Sequence, residues 1–105
     1  MANGRLAASS PAANTETLLY QAPSATTSSI SISACNTNAV AAKIKISLET
    51  SAAVGIATTN CIEFNSSIPA TSTLERGGIV VSNQQKVFCY SDLGGVNFVV
   101  YGYES

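Results

Sequence analysis

The sequence predicts an all-β fold, an antiparallel sandwich of Ig-like or jelly-roll-like type with seven or eight short strands behind an extended N-terminal arm. Three observations carry that expectation. Two segments alternate strictly: "SSISISAC" sets Ile30, Ile32 and Ala34 against Ser29, Ser31 and Ser33, and "VAAKIKISLE" sets Ile44, Ile46 and Leu48 against Lys43, Lys45 and Ser47. Such a period of two is that of a strand with one buried face. Turn residues recur at intervals of about 8–12 residues, the spacing of a sandwich or barrel. No stretch of ten residues holds the 3.6-residue period of an amphipathic helix.

Residues 1–15 are rich in Ala, Ser and Asn, are interrupted by Pro11, and have no periodicity that would bury a face. They are expected to form the arm, with residues 16–105 as a single sandwich domain. Arg5 and Leu6 are the arm's anchors, for docking on the same domain or on a neighbouring subunit. "ETLLYQ", ahead of Pro23, reads as a strand. The polar "NTNA" between the two alternating segments reads as the loop of an antiparallel hairpin. "CIEF", "GGIVVS" and "QQKVFCYS" supply further strands. "RGG" at 76–78 and "LGG" at 93–95 are expected as turns between strands, because glycine adopts positive φ without strain. In the last run, "VNFVVYGY", Val96, Phe98 and Val100 share one face while Asn97, Val99, Tyr101 and Tyr103 share the other.

Composition narrows the function. A chain of 105 residues has the size of one domain. Only 10% of it is charged, against a usual ~25%, and the net charge is −1. The five basic residues are scattered, so there is no basic stripe to neutralise a phosphate backbone, and nucleic acid is excluded as a partner. Histidine is absent and the carboxylates never form a close pair, which leaves a thin inventory for general acid–base work. There is no G-x-S-x-G elbow, and Glu63, Asn65 and Asp92 do not make the spaced acidic run of a calcium loop. Cys35, Cys61 and Cys89 are odd in number, widely spaced and free of C-x-x-C, so they are expected as small buried core residues. No run of about 18 apolar residues occurs, and the first residues lack a signal peptide's apolar stretch. The expectation is a soluble chain made in a cytoplasm, with no catalytic residues, no cofactor, no metal and no membrane partner.

Six residues remain as candidates for an interface. Glu75 and Arg76 are an opposite-charge pair, but neighbours on a strand point to opposite faces, so they are expected in separate roles at a sheet edge or interface, with Leu74 turned to the core. Glu63 is expected to meet a lysine across strands. Tyr101 and Tyr103 share a face that suits a sugar ring or a protein partner. With Arg5 and Leu6 they complete the set.

The order of the segments has a resemblance of its own. "RLAASSPAANTETLLYQAP", "SISISACNTNAVAAKIKISL", "CIEFNSSIPATSTLERGGIVVSNQQKVFCYS" and "VNFVVYGYE" together resemble a small β-sandwich domain of tailed-bacteriophage structural proteins, and the likeness covers residues 5–104. That domain's run of motifs is similar: an "LLY-x-x-P" strand, a "CN" turn, an "IEY/IEF" strand, "SIPA … LER-x-GI" and a closing "VYGxE". The resemblance implies a virion component made in the host cytoplasm. A domain standing alone behind a short arm is similar to capsid decoration or cement proteins that bind the major capsid protein's lattice as homo-oligomers, preferably trimers. Small tail, baseplate and fibre-associated proteins look the same, and a carbohydrate-binding module that recognises a host glycan is a further alternative. One departure, "RGG" where a branched residue often follows the arginine, implies altered strand geometry at that point.

Overall fold

The structure, a computed structural model, describes residues 3–105; Met1 and Ala2 lie outside them. It bears out the all-β sandwich. Eight strands, β1 (Asn3–Ser9), β2 (Thr17–Gln21), β3 (Thr27–Asn36), β4 (Ala42–Glu49), β5 (Cys61–Ile68), β6 (Thr73–Ser82), β7 (Lys86–Ser91) and β8 (Val96–Glu104), form two four-stranded sheets. The strand orders are β1-β8-β3-β6 and β2-β7-β4-β5, with every pairing antiparallel. This is the order of an eight-stranded jelly roll.

Between the sheets lie the apolar halves of the alternating segments. Ile30, Ile32 and Ala34 of β3 and Val96, Phe98 and Val100 of β8 face Ile44 and Ile46 of β4 and Val87 and Cys89 of β7, all of them buried. Each fully buried Ile, Val or Phe contributes roughly 1.5–3 kcal/mol. The ion pair that links the sheet edges, Arg76 Nη1 to Glu63 Oε2 at 3.1 Å, is half exposed on its arginine side and contributes about 0–1 kcal/mol. The core therefore holds the sheets together, and the ion pair only trims their edge.

Four expectations are corrected. The segment expected as an arm is, over Asn3–Ser9, an edge strand paired with β8, and Leu6 and Ala7 pack against the core while Pro11 is buried. A run too short and too small to show a period is held by backbone pairing rather than by an apolar face. The segments expected as a hairpin belong to different sheets: β3 pairs with β6 and β8, and β4 with β5 and β7. Period-2 alternation fixes which face is buried, not which strand lies alongside. "RGG" is not a turn but a bulge inside β6, where Gly77 and Gly78 are inserted between the pairs Ile30↔Ile79 and Ile32↔Arg76, with Gly78 at φ +71°. Finally, Cys89 is buried, which pushes its thiol up to about 12, but Cys35 and Cys61 are only half-buried.

Among the fully enclosed polar side chains, Ser28, Asn36, Ser47 and Ser91, the asparagine fastens several loops. The Asn36 amide at the end of β3 donates from Nδ2 to the carbonyls of Val40, Ile68 and Pro69 at 2.9, 3.0 and 3.2 Å. Its Oδ1 accepts from the Asn38 backbone amide and from Asn38 Nδ2, which also reaches the Gly94 carbonyl at 2.7 Å. Three loops, 37–41, 69–72 and 92–95, are thus fastened at one end of the sandwich. At the other end the Tyr20 phenol crosses between the sheets, donating to Glu104 Oε2 and sharing a hydrogen bond with Ser28 Oγ, both at 2.6 Å. Burial, reinforced by the bond to Glu104, pushes that phenol up to about 12.

Replacing Asn36 by alanine strands three inward-facing carbonyls, at an expected cost of about 3 kcal/mol. Thermal melting should register this as a fall of at least ~10 °C; an unchanged midpoint would show that the clasp is dispensable. Two glycines give a matched pair. A Cβ on Gly102 (φ +149°) would sit 2.1 Å from the Ser29 carbonyl oxygen, whereas one on Gly78 (φ +71°) meets open space. Gly78→Ala carries backbone strain alone, about 1 kcal/mol, and Gly102→Ala adds a backbone clash that brings the loss to roughly 3 kcal/mol. Equal melting temperatures for the two variants would refute the packing at β8.

Candidate interaction surface

The outer face of the first sheet assembles most of the interface candidates. Residues of β8 with odd numbers point outward, so Tyr101 (37% exposed) and Tyr103 (56% exposed) stand on that face. Cross-strand register places Arg5 of β1 opposite Tyr101 and Asn3 opposite Tyr103. On the other side of β8, β3 presents Ser29 opposite Tyr103 and Ser31 opposite Tyr101. One strand further on, β6 presents Val80 opposite Ser29 and Glu75 opposite Ser33.

The serines let the tyrosine lie down. β8 and β6 are separated by β3, hence by two strand spacings of about 4.8 Å each. Tyr101 nevertheless donates its phenol to Glu75 Oε2 at 2.7 Å, which requires short side chains beneath the ring. Ser31 and Ser33 supply them. The hydrogen bond to the carboxylate raises the phenol above its usual 10.0. The result is a flat floor of serines, a ridge of two tyrosines, an exposed valine at the far side, and charge confined to Arg5 and Glu75.

Arg76 and Leu6 do not join this face. Arg76 pairs in register with the inward-facing Ile32, so its side chain leaves β6 toward the interior side and passes over the edge to Glu63 of β5. Glu63 also accepts from Ser66 Oγ at 2.5 Å. The partner of Glu63 is thus an arginine from the opposite sheet rather than a lysine across strands. Leu6 falls at the β1 bulge and packs against the core.

The second sheet carries features that the sequence left unmarked. Lys45 lies between two rings, with Nζ 5.3 Å from the Phe64 centroid and 4.7 Å from that of Tyr90, while the Tyr90 phenol donates to Asn14 Oδ1 at 2.7 Å. Alternation does show Lys45 and Tyr90 pointing outward; that β5 brings Phe64 beside them depends on pairing that no local pattern encodes. The β4–β5 loop, residues 50–60, ends in a short 3₁₀ turn over Thr58–Asn60 and is anchored by two carboxylates and a lysine. Glu16 Oε1 accepts from the Ile56 amide at 3.0 Å. Glu49 accepts from the Ala57 amide at 2.9 Å and from Asn60 Nδ2 at 2.7 Å. Lys86 Nζ donates to the Ala53 carbonyl at 3.0 Å. Burial alone would push the Glu49 carboxyl up, but these hydrogen bonds outweigh it and hold the pKa below its ordinary 4.5.

Among the described residues no cluster of three or more His, Cys, Asp or Glu side chains is placed to hold a metal ion, and no helix is long and apolar enough to cross a membrane. A shallow hollow of about 270 Å³ opens between β1 and β8, lined by Ala8, Ser9, Ser10, Asn97, Phe98 and Val99. Comparison of the chain with family models, with curated proteins and with solved structures found no match.

The Glu49 anchor makes stability depend on acid in a definite direction. Because folding lowers this pKa, the folded chain binds fewer protons than the unfolded one near pH 4. The contribution is complete above the unfolded value and fades as pH falls through the folded one. Urea denaturation of the wild type and of Glu49→Gln should therefore differ most at neutral pH and converge as acid protonates the folded carboxylate at its lowered pKa. Parallel pH profiles would mean that the carboxylate is not the anchor.

Proposed function

We propose that the chain is a non-enzymatic virion structural protein of a tailed bacteriophage, a capsid decoration or cement protein that binds the assembled particle as a homo-oligomer. The observation that carries this reading is the outer face of the first sheet, flat, nearly uncharged and rich in tyrosine and serine. Tyrosines provide large, rigid contact area with a polar tip, and they anchor protein interfaces well. Low charge lets many copies sit side by side without mutual repulsion. Weak single contacts then add on a repeating lattice.

Three further points support it. The run of motifs over residues 5–104 resembles the phage domain, and jelly rolls serve in viral capsid and lectin domains, which is support by analogy of fold alone. The carboxylates that would be wanted for acid–base chemistry are already engaged: Glu63 with Arg76 and Ser66, Glu16 and Glu49 with loop 50–60, and Glu75 with Tyr101. A tail, baseplate or fibre position has the same structural requirements. Glycan recognition is the alternative favoured by one specific observation, the adjacent placement of Tyr101 and Tyr103 on an open face with hydrogen-bonding groups beside them.

The test combines location and surface. Quantitative mass spectrometry of purified particles should give a copy number comparable to that of the major capsid protein; a few copies, set by the symmetry of the tail, would move the protein to tail, baseplate or fibre. Replacing Tyr101 and Tyr103 together by alanine should leave the melting temperature nearly unchanged and reduce incorporation into particles. Unimpaired incorporation with loss of glycan-array signal would replace the lattice reading with the carbohydrate one.

A further inference from the structure

We propose that loop 50–60 is an acid-releasable strap, latched by Glu16 and Glu49 across the outer face of the second sheet, where it covers Phe88 and Ser47. Phe88 is the clue. On β7 it alternates with Val87 and Cys89, which belong to the core between the sheets, so its side chain points outward; yet it is only 5% exposed and stands outside that core. Ser47, its partner on β4, is likewise buried at an outward position, since its neighbours Ile46 and Leu48 turn to the core. Both need a cover from outside. The loop leaves β4 at Glu49 and rejoins the sheet at Cys61 of β5, an edge strand, but on the way its Ile56 amide is bonded to Glu16, which adjoins β2 at the opposite edge. The order β2-β7-β4-β5 separates those edges by three strand spacings of about 4.8 Å each. A chain that reaches from β4 to Glu16 and back to β5 crosses the outer face, and Phe88 lies in its path between Leu18 of β2 and Ser47 of β4.

What holds the strap differs from what holds the sheets. No residue of 51–60 is buried, and Val54 is 97% exposed, so the loop has no apolar anchor of its own. Its attachments are polar: the Ile56 amide on Glu16 Oε1 at 3.0 Å, the Ala57 amide and Asn60 Nδ2 on Glu49 at 2.9 and 2.7 Å, and Lys86 Nζ on the Ala53 carbonyl at 3.0 Å. A carboxylate accepts such bonds more strongly when ionised than when protonated. The other titratable groups about the latch are Lys86 and Tyr90 of β7, Lys45 of β4 and the Cys61 thiol of β5. Lysine, tyrosine and cysteine keep their protons below pH 7, so of these groups the two carboxylates alone change charge on acidification. Lys86 stays on Ala53, and release begins at Ile56 and Ala57. A segment without buried apolar contacts opens at low free energy while the rest of the domain stays folded. Opening joins Phe88 to Leu18, its neighbour in register and already 44% exposed, so the strap sets how much apolar surface the second sheet presents.

Thiol labelling of a Ser47→Cys chain at fixed pH tests this, with peptide mass spectrometry separating the introduced thiol from Cys35, Cys61 and Cys89. That thiol should react at least about tenfold faster than global unfolding allows, and with a much weaker dependence on urea. Glu16→Gln stands in for the protonated carboxyl, and Gly55→Ala displaces the carboxylate, because its Cβ would come 2.6 Å from Glu16 Oε1. Each should speed labelling by about fivefold or more, and the two together no more than either alone, since both undo one bond. Exchange of the Ile56 amide, followed by NMR, should rise in the same variants while the amides of β3 and β8 keep their protection. In the wild type the same exchange, corrected for its intrinsic pH dependence, should rise between about pH 7 and pH 4. Labelling that follows global unfolding with its full urea dependence, an Ile56 amide unmoved by Glu16→Gln and Gly55→Ala, or a flat pH profile would each overturn the proposal. These readouts need no particle, so they fail or succeed separately from the lattice reading.

Discussion

The buried Asn36 amide is the constraint on which the topology turns. In a jelly roll most connections pass from one sheet to the other, and in this chain β4 and β5 are the consecutive strands that pair with each other. Crossing connections receive no backbone ladder and must be held some other way. Asn36 does this by satisfying carbonyls from two loops and, through Asn38, a carbonyl from a third. Thr37 adds hydrogen bonds from its amide and hydroxyl to the Gly95 carbonyl, and the Thr71 amide donates to the Asn38 carbonyl. An interior amide that is fully paired specifies geometry in a way that an apolar contact does not, because each misalignment leaves a polar group without a partner. Tyr20 has the corresponding role at the opposite end, with a single phenol reaching both β3 and β8.

A chain with so few charges places them economically. Arg76 and Glu63 span the sheet edges, Glu16, Glu49 and Lys86 hold one loop, and Glu75 fixes the ring of Tyr101. In loop 50–60, rich in Ala, Gly, Ser and Thr, the charged groups order a segment that has little side-chain packing of its own. That explains how a surface low in charge can still be rigid.

The faces of the strands were legible in the sequence, and their partners were not. Alternation in "SISISA" and "AKIKI" identified the buried side chains of β3 and of β4 as far as Ile46, after which, past a register shift against β5, Ser47 and Glu49 are buried against the expected parity, and the parity of β8 put Tyr101 and Tyr103 on one outer face. The same parity argument separated Glu75 from Arg76, which the structure directs to opposite sides of β6. Alternation carries no information on pairing across sequence distance, so the β3–β4 hairpin was misread and the union of Tyr101 with Glu75 over the serines of β3 was out of reach. Local glycine chemistry was equally double-edged: Gly77–Gly78 and Gly94–Gly95 read alike, yet one pair makes a bulge and the other a turn, and only the length of strand on either side distinguishes them. Asn36 gave no signal at all, because an asparagine ahead of "TNA" looks like any turn residue until the loops it binds are brought around it.

What the fold leaves free determines how it meets other molecules. The end of the sandwich near Asn36 is closed by three interlocked loops. The β5 and β6 edges are blunted by an inward-directed arginine, by the Gly77–Gly78 bulge and by irregular pairing of β5 around Asn65 at φ +51°. The β1 edge is bent by a register shift after Arg5 and by Gly4 at φ +92°. Bulges and inward charges of this kind discourage edge-to-edge pairing, the route by which exposed strands add to one another indefinitely. With the edges unsuited to pairing, association falls to side chains on faces and loops, where contacts are discrete and their number is set by geometry. The bulged edges and the exposed tyrosine face are thus two sides of the same arrangement.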